Sequence, residues 1–587
     1  MNYLAIHLGH NATVALSKNG EIVSVISEER LTRVKNFTGF PVEALKTIKK
    51  NYLNNNFSKI DNFLFIDHTG LALNYIKKKN FKSETFGSYG WEDKKKFILN
   101  TKLYNFFGSS LINFIAKFKR NISKRNSKNI KKKKILKQIF KLYPEVKFDL
   151  EKAIFFDHHE IHALSFGYFQ EPNPKKKLIF TMDGEGDFLS STVNIYENKN
   201  LKKISENSND VSLGYLYAEV TKYLGLKPFE HEFKVMGMSP YGSDKDAERI
   251  LSYLKNLVYL NQEGKFNSKV VSSLYKYEIE NIFKFEKFEN ICKAVQLFTE
   301  KIVLDWIKFW IKKTSIKIII VSGGVFMNIK ACKEISKIPE VDELSVVPSA
   351  SDESLPFGAL FKMNNLKNQN IKIIKNLYLG NSYEQNLDSF IKKIENENFK
   401  IYNFKSYENL NEEVSNLLSK NEIVARLFYK EEWGARALGN RSILCNPSKI
   451  ENIKIINEAI KHRDYWMPFS PSILEEDHKN YFYNPKNIDT KFMACLFDST
   501  ELARDHLKAA IHPIDFTLRP QIVSKSFNPE YHDLILKFKN KTSIGGLLNT
   551  SFNLHGEPNV SDYNDAFFTF KNSKLNFLIL ENYLIKK

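Results

Sequence analysis

The feature that most constrains this chain is a local pattern that occurs twice: an apolar strand, a polar loop containing glycine, and then a hairpin. Residues 3–8 are mostly apolar and run into Gly9-His10-Asn11-Ala12. A strand at 13–16 follows, then a turn at Asn19-Gly20 and a further strand at 21–26. Asn-Gly between two alternating runs predicts a hairpin, because both residues tolerate positive φ. Residues 177–182 repeat the buried strand, Asp183-Gly184-Glu185-Gly186-Asp187 repeats the loop, and 191–196 is the next strand, turning near 198–200. Each copy opens about half of the first 365 residues, so a duplicated α/β domain is expected.

A third strand, at 318–321, runs into Ser322-Gly323-Gly324-Val325 and a helical stretch at 328–335. Glycines there let backbone N–H groups approach a phosphate, and the helix N-terminus adds favourable partial charge. Most such turns only pack, but this one follows two polar strand-end loops, which is the pattern of actin and sugar-kinase type ATP-binding folds.

At 587 residues the chain exceeds one compact core. The polar run at 364–371 marks a boundary between residues 1–365 and a smaller α/β region, 372–587, with strands expected near 373–378 and 422–428. Residues 433–442, 461–471, 515–521 and 549–558 stand out in that second region. Most of them mix Arg or Lys with Asn, Ser or Gly, as an anion-binding surface does.

A hydrophobic share of 43% and an aromatic share of 13% exclude a mainly disordered protein. Lys and Arg number 87 against 67 Asp and Glu, a net charge of +20. Lys and Asn are abundant along the whole length, so the charge is read as compositional bias and no nucleic-acid partner is expected. Residues 117–141 are locally extreme, with basic residues and no acidic one among them. A solvated face is the default there, and peripheral contact with an anionic surface is the alternative. Cys292, Cys332, Cys445 and Cys495 form no Cys-x-x-Cys pair, which argues against a disulfide framework or a zinc ribbon and fits a reducing compartment. No apolar run approaches the roughly 18 residues needed to span a bilayer, and a cytoplasmic protein is expected.

In Asp157-His158-His159-Glu160-Ile161-His162, His158 and His162 lie four apart, so on a helix both imidazoles share one face, with Asp157 placed as N-cap. Asp183 and Asp352 can complete a mixed nitrogen and oxygen sphere suited to iron(II), manganese or zinc. Ordinary core or surface histidines are the competing reading of the same spacing.

An ordered set of motifs now carries a resemblance over nearly the whole chain. It comprises Gly9-His10-Asn11-Ala12, Glu28-Glu29-Arg30-Leu31-Thr32-Arg33-Val34-Lys35, the His158 to His162 helix, the Asp183 loop and Lys234-Val235-Met236-Gly237. It continues with Gly323-Gly324-Val325 and Asn328, Arg436-Ala437-Leu438-Gly439-Asn440-Arg441-Ser442, Lys461 with Arg463, Pro468-Phe469-Ser470-Pro471, and Asn549-Thr550-Ser551-Phe552-Asn553. The set resembles the O-carbamoyltransferases of nodulation-factor and antibiotic biosynthesis.

That resemblance implies an N-terminal domain similar to the tRNA threonylcarbamoyl-transferring fold and a C-terminal domain similar to the one that makes threonylcarbamoyl-adenylate. The C-terminal domain would convert carbamoyl phosphate and ATP, with Mg2+, into carbamoyl-adenylate. Arg436, Arg441, Lys461 and Arg463 would clamp phosphates, and Asn549 and Ser551 would add neutral hydrogen bonds. The N-terminal domain would carry a divalent metal ion, iron(II) in first place, on His158, His162, Asp183 and Asp352. A small hydroxyl-bearing acceptor would attack there, with His10 and His159 as general-base candidates and His7 a less specific third. Gly323, Gly324 and Asn328 would hold the adenosine part.

The chain departs from the family pattern at Asn11, Ala435, Met467 and Phe516, and Met467 removes a possible phosphate ligand. The competing functions are a tRNA threonylcarbamoyl-type transferase and a non-catalytic actin-like ATP-binding scaffold.

Overall fold

The computed structural model describes residues 1–66, 132–383 and 387–587, together with Asn113 and Lys117. The basic stretch at 117–141 lies mostly outside the described residues; from Lys132 onward it is helical, in the element Lys132–Leu142. Two compact units result: Met1–Glu21 with Asn36–Ile373, and Ile22–Lys35 with Ile374–Lys587.

The duplication expected from the hairpin pattern is present as two five-stranded sheets. The first consists of β1 (Asn2–His7), β2 (Thr13–Lys18), β3 (Glu21–Ser27), β4 (Asn62–Ile66) and β5 (Ala153–Phe156), in the order β3-β2-β1-β4-β5. The second consists of β6 (Lys177–Gly186), β7 (Leu189–Glu197), β8 (Asn200–Ser208), β9 (Ile318–Ser322) and β10 (Glu343–Val346), in the order β10-β9-β6-β7-β8. In both, the first strand pairs antiparallel with the next one in sequence and parallel with the fourth. The parallel strands are uninterrupted apolar runs, as sheets covered on both faces require; Ile319, Ile320 and Val321 of β9 are fully buried. The first hairpin turns on Asn19 (φ 50°) and Gly20 (φ 84°), the paired positive φ that Asn-Gly favours.

Four helices matter below: α1 (Glu28–Thr32), α2 (His158–Leu164), α3 (Ile329–Ser336) and α4 (Leu355–Leu366). Asp157 is the N-cap of α2, its carboxylate accepting from the Glu160 N–H at 2.9 Å. Helix α4 packs so tightly on α2 that a Cβ at Gly358 would overlap the Ile161 carbonyl.

The second unit is built on an eight-stranded mixed sheet. Its strands are β11 (Lys400–Asn403), β12 (Val424–Leu427), β13 (Arg441–Cys445), β14 (Ser470–Leu474), β15 (Gln521–Val523), β16 (Gly546–Ser551), β17 (Phe577–Leu580) and β18 (Tyr583–Lys586), in the order β11-β18-β17-β12-β13-β16-β14-β15. Its core gathers Ile443, Leu548, Phe552, Phe570 and Leu578. The strand expected at 373–378 does not form. The Leu377 carbonyl accepts from the Trp433 and Leu379 N–H groups, so this backbone is satisfied by a loop and a tight turn instead of a ladder. No described helix is long and apolar enough to cross a membrane.

Candidate metal centre and anion site

The four residues chosen as metal ligands come together, although they are brought in by three separate segments. One nitrogen each of His158 and His162 and one carboxylate oxygen each of Asp183 and Asp352 all lie within 4.8 Å of one another. His162 Nε2 is 3.2 Å from Asp183 Oδ2 and 3.4 Å from Asp352 Oδ1; His158 Nε2 is 3.9 and 3.6 Å from the same oxygens.

Both histidines are at most 1% exposed, and their Nε2 atoms face the carboxylates of Asp183 and Asp352. Buried imidazole nitrogens aimed at paired carboxylates fit a borderline divalent cation, since mixed N and O donors are what such an ion takes. Burial opposes charge on His158, but Asp352 and Asp183 more than offset it and raise its pKa. Burial would likewise raise Asp183, yet hydrogen bonds and charge from His158 and His162 hold it well below the usual carboxylate range.

The neighbouring glycines serve this cluster. A Cβ at Gly186 would overlap the His158 ring, and one at Gly323 (φ 104°) would overlap the Met182 carbonyl. The Gly184 and Gly324 N–H groups donate to Asp183 at 2.6 and 3.0 Å, and Ser322 Oγ lies 3.4 Å from His162 Nδ1. The Gly323-Gly324 turn therefore orients a ligand carboxylate, a role not anticipated from its glycines. Asn328 caps α3 through Ala331 N–H and forms a reciprocal amide pair with Gln296 at 2.9 Å in each direction.

The three other histidines have different surroundings. His159 has both ring nitrogens engaged, Nδ1 by Thr181 Oγ1 at 2.8 Å and Nε2 by the Leu189 carbonyl at 3.1 Å. Burial, with His158 and His162 nearby, keeps it well below the ordinary imidazole pKa. These bonds tie α2 to the sheet and leave neither ring nitrogen facing the metal-ligand cluster. His7 Nε2 is bonded to the His10 carbonyl at 3.0 Å and lies 3.7 Å from Asp352 Oδ2. His10 ends the strand region through a bridge to Thr38, and burial pushes it down to about 4 against the fields of Asp183 and Glu230. It is neutral at pH 7 and able to accept a proton.

In the second unit, the basic residues separate into two groups. Arg463 lies over the Phe469 ring at 5.3 Å, and Arg519 donates from Nε and Nη2 to Ser470 Oγ at 3.3 and 3.1 Å. Burial and Arg436 push Arg463 down to about 10, with Asp464 opposing; burial, Arg436 and Arg463 hold Arg519 well below the usual guanidinium range. Three half-buried guanidiniums thus crowd one another, an arrangement that favours an anion among them.

Lys461 ends a π-helical turn, Asn457–Lys461, and is buried. Its Nζ donates to Ser551 Oγ at 3.0 Å, to Asn553 Oδ1 at 2.8 Å and to the Ser551 carbonyl. Burial, with Arg463 and Lys35 adding like charge, lowers it well below the usual lysine range.

Arg441 and Asn549 belong to the other group. Arg441 is fully buried and donates to the carbonyls of Ser561, Phe428, Asn440 and Tyr429 at 2.9–3.1 Å. Asn549 Nδ2 donates to the Ala437 carbonyl at 3.1 Å and to Ser472 Oγ at 2.9 Å. Both side chains are engaged with the protein itself, Arg441 with four carbonyls and Asn549 with a carbonyl and a hydroxyl. Arg519 was missed: it lies in the stretch at 515–521 singled out above, but only the parallel pairing of β14 with β15 brings it to Ser470.

The family described as "Carbamoyltransferase N-terminus" matches residues 3–361, and "Carbamoyltransferase C-terminus" matches residues 415–587. An uncharacterized protein of Methanocaldococcus jannaschii is 31% identical over 591 residues, covering 100% of this chain and 99% of its own. Nodulation protein NolNO of Sinorhizobium fredii is 27% identical, covering 98% of this chain and 79% of its own. The 3'-hydroxymethylcephem-O-carbamoyltransferase of Amycolatopsis lactamdurans is 32% identical over 154 residues, 26% of this chain and 28% of its own. With both halves matched in order along the chain, and with a cluster of potential metal ligands in one and crowded cations in the other, this protein belongs to the carbamoyltransferase family.

Proposed function

We propose that the chain is an ATP-dependent O-carbamoyltransferase that divides its work between the two units. The observation supporting this most is the separation of two unlike clusters: His158, His162, Asp183 and Asp352 in one unit, and Arg436, Lys461, Arg463 and Arg519 in the other. Carbamoyl phosphate, water and ATP, the last with Mg2+, would give carbamoyl-adenylate, phosphate and pyrophosphate at the cationic cluster. Guanidinium groups stabilise the charge that develops on phosphoryl oxygens, and fixed donors in a water-poor site cost no reorganisation as the reaction proceeds. Lys461, held by Ser551 and Asn553, is aimed before substrate arrives.

At the other unit, His158, His162, Asp183 and Asp352 would hold a divalent ion such as iron(II), which supplies Lewis acidity toward the carbamoyl oxygen or phosphate. His10 takes the proton of the acceptor hydroxyl, its burial keeping it neutral for that task. His7 lies beside Asp352, and Gly323-Gly324 holds Asp183 and borders the adenylate. The acceptor is a small molecule bearing a hydroxyl group, and the enzyme works in the cytoplasm.

The test is a rapid-quench experiment on the His158→Ala, His162→Ala double variant, following pyrophosphate and carbamoylated acceptor, with metal content measured on the same sample. Metal and transfer should be lost while carbamoyl-phosphate-dependent pyrophosphate release continues. If both products vanish together in a folded variant, or neither changes, the two-site scheme is wrong.

A further inference from the structure

The motif from Glu28 to Lys35 plays no part in either step described above, although it is charged and lies far from the second unit in sequence. Structurally it belongs to that unit, as part of Ile22–Lys35. Strand β3 enters it with Val25 N–H donating to the Leu379 carbonyl at 2.9 Å. Arg30 on α1 is buried, donates from Nη2 to the Gly434 carbonyl at 3.0 Å, and pairs through Nη1 with buried Glu431 at 3.2 Å. Gly434 is two residues before Arg436. Arg33 takes the left-handed conformation that ends α1 (φ 58°), and its guanidinium reaches another loop. Nη1 donates to the Asn559 carbonyl at 2.6 Å and lies 3.4 Å from Asp565; Nη2 donates to the Pro558 carbonyl at 3.0 Å and to Glu557 at 3.3 Å.

That second loop leads back to the anion site. The Glu557 carbonyl accepts from Asn553 Nδ2 at 3.1 Å, and Asn553 Oδ1 in turn accepts from Lys461 Nζ at 2.8 Å. We infer that Ile22–Lys35 is a positioning strap for the phosphate-binding site, with Arg30 holding the loop that carries Arg436 and Arg33 holding the loop that aims Lys461. Lys35, at the strap's end, adds its charge to that of Arg463 in lowering Lys461, which is consistent with the strap ending beside the site.

A guanidinium suits this task because its rigid planar fork presents donors from two separate nitrogens at a fixed spacing, whereas a lysine presents all of its donors from one nitrogen. Arg30 and Arg33 are positioning residues, acting through backbone and through Asn553. The inference rests on the proposed use of carbamoyl phosphate, and its test keeps the two apart.

In the full-length protein, Arg33→Lys and Arg33→Ala are compared with wild type in carbamoyl-phosphate-dependent pyrophosphate release, and inorganic phosphate binding is measured by calorimetry. A strap that aims Lys461 predicts an increase of about tenfold in KM for carbamoyl phosphate and in Kd for phosphate, from the loss of charged hydrogen bonds, with kcat falling less. A residue that only stabilises the fold would lower the active fraction, and so kcat, with KM and Kd unchanged; that outcome overturns the inference. Arg33→Lys keeps bulk and charge and decides the matter if Arg33→Ala does not fold. If wild type binds phosphate but releases no pyrophosphate, the functional reading falls, and the strap is judged on the phosphate Kd alone.

Discussion

Arg519 and Arg441 provide a paired test, because two arginines of one unit should respond to the same substitution in opposite ways. Arg519→Met removes one of three crowded guanidiniums. Its bonds to Ser470 Oγ contribute about 1 kcal/mol, and the relief of like-charge repulsion in a half-buried setting is of the same order, so ligand-free stability should move by no more than about 1 kcal/mol. Arg441→Met strips the donors from four carbonyls around a fully buried side chain. The Asn440 carbonyl keeps the Phe428 N–H, so at about 1 kcal/mol or more for each of the other three groups the loss is at least about 3 kcal/mol, a fall of roughly 8 °C in Tm. Phosphate affinity should show the reverse order. Arg519→Met should weaken inorganic phosphate binding by tenfold or more, from a charge-assisted bond worth about 1.5–3 kcal/mol. Thermal unfolding with and without phosphate, together with calorimetry, reads both quantities. A large drop in Tm for Arg519→Met with phosphate affinity intact, or an Arg441→Met protein that melts like wild type, would refute this sorting of the cations.

Further expectations follow from single contacts. Gly186→Ala should lower metal content in a folded protein, because the new methyl group would occupy the space of the His158 ring; metal stoichiometry measures this. His10→Gln should abolish carbamoyl transfer while leaving pyrophosphate release, whereas Thr181→Val, which removes a bond to His159, should cost stability more than chemistry; paired product assays and melting curves distinguish them. Lys461 has a folded pKa below its ordinary 10.5, so between the two values the unfolded chain binds more protons and stability rises with pH. Phosphate affinity should fall over that same interval as the ammonium loses its proton, and Lys461→Arg should carry whatever affinity it retains to higher pH.

What was legible in the sequence follows from the range over which each signal acts. The hairpin turn at Asn19-Gly20 and the His158 and His162 spacing are local, and they gave the duplicated sheets and one shared helical face. Arg519 sits in a stretch that the sequence singles out, but its partners depend on the register of β14 against β15, where Ser472 pairs with Gln521. Residue type could not separate His159 from His10, since that depends on whether Thr181 and Leu189 lie within reach of the ring. Nor could it separate Arg441 from Arg463: the first meets the Phe428 and Tyr429 carbonyls just past the end of β12, and the second meets an aromatic face and like charges. The strap illustrates the same limit at longer range, because the motif at 28–35 shows nothing of what Arg30 and Arg33 hold until Gly434 and residues 557–559 are placed against them.

A physical criterion emerges for the charged residues of these motifs. A cation whose donors end on backbone carbonyls replaces hydrogen bonds that the fold would otherwise lack, and its removal should be felt in stability. A cation held among other cations raises the free energy of the ligand-free state and recovers it when an anion arrives, so its removal should be felt in binding. Arg441 falls on the first side, and Arg436, Arg463 and Arg519 on the second. Lys461 shares both characters, bonded to the Ser551 carbonyl and depressed by Arg463 and Lys35, so its loss should register in stability and in binding together. Arg33 ends on carbonyls like Arg441, yet one of its loops leads to Lys461, so its loss should register in phosphate affinity as well as in stability.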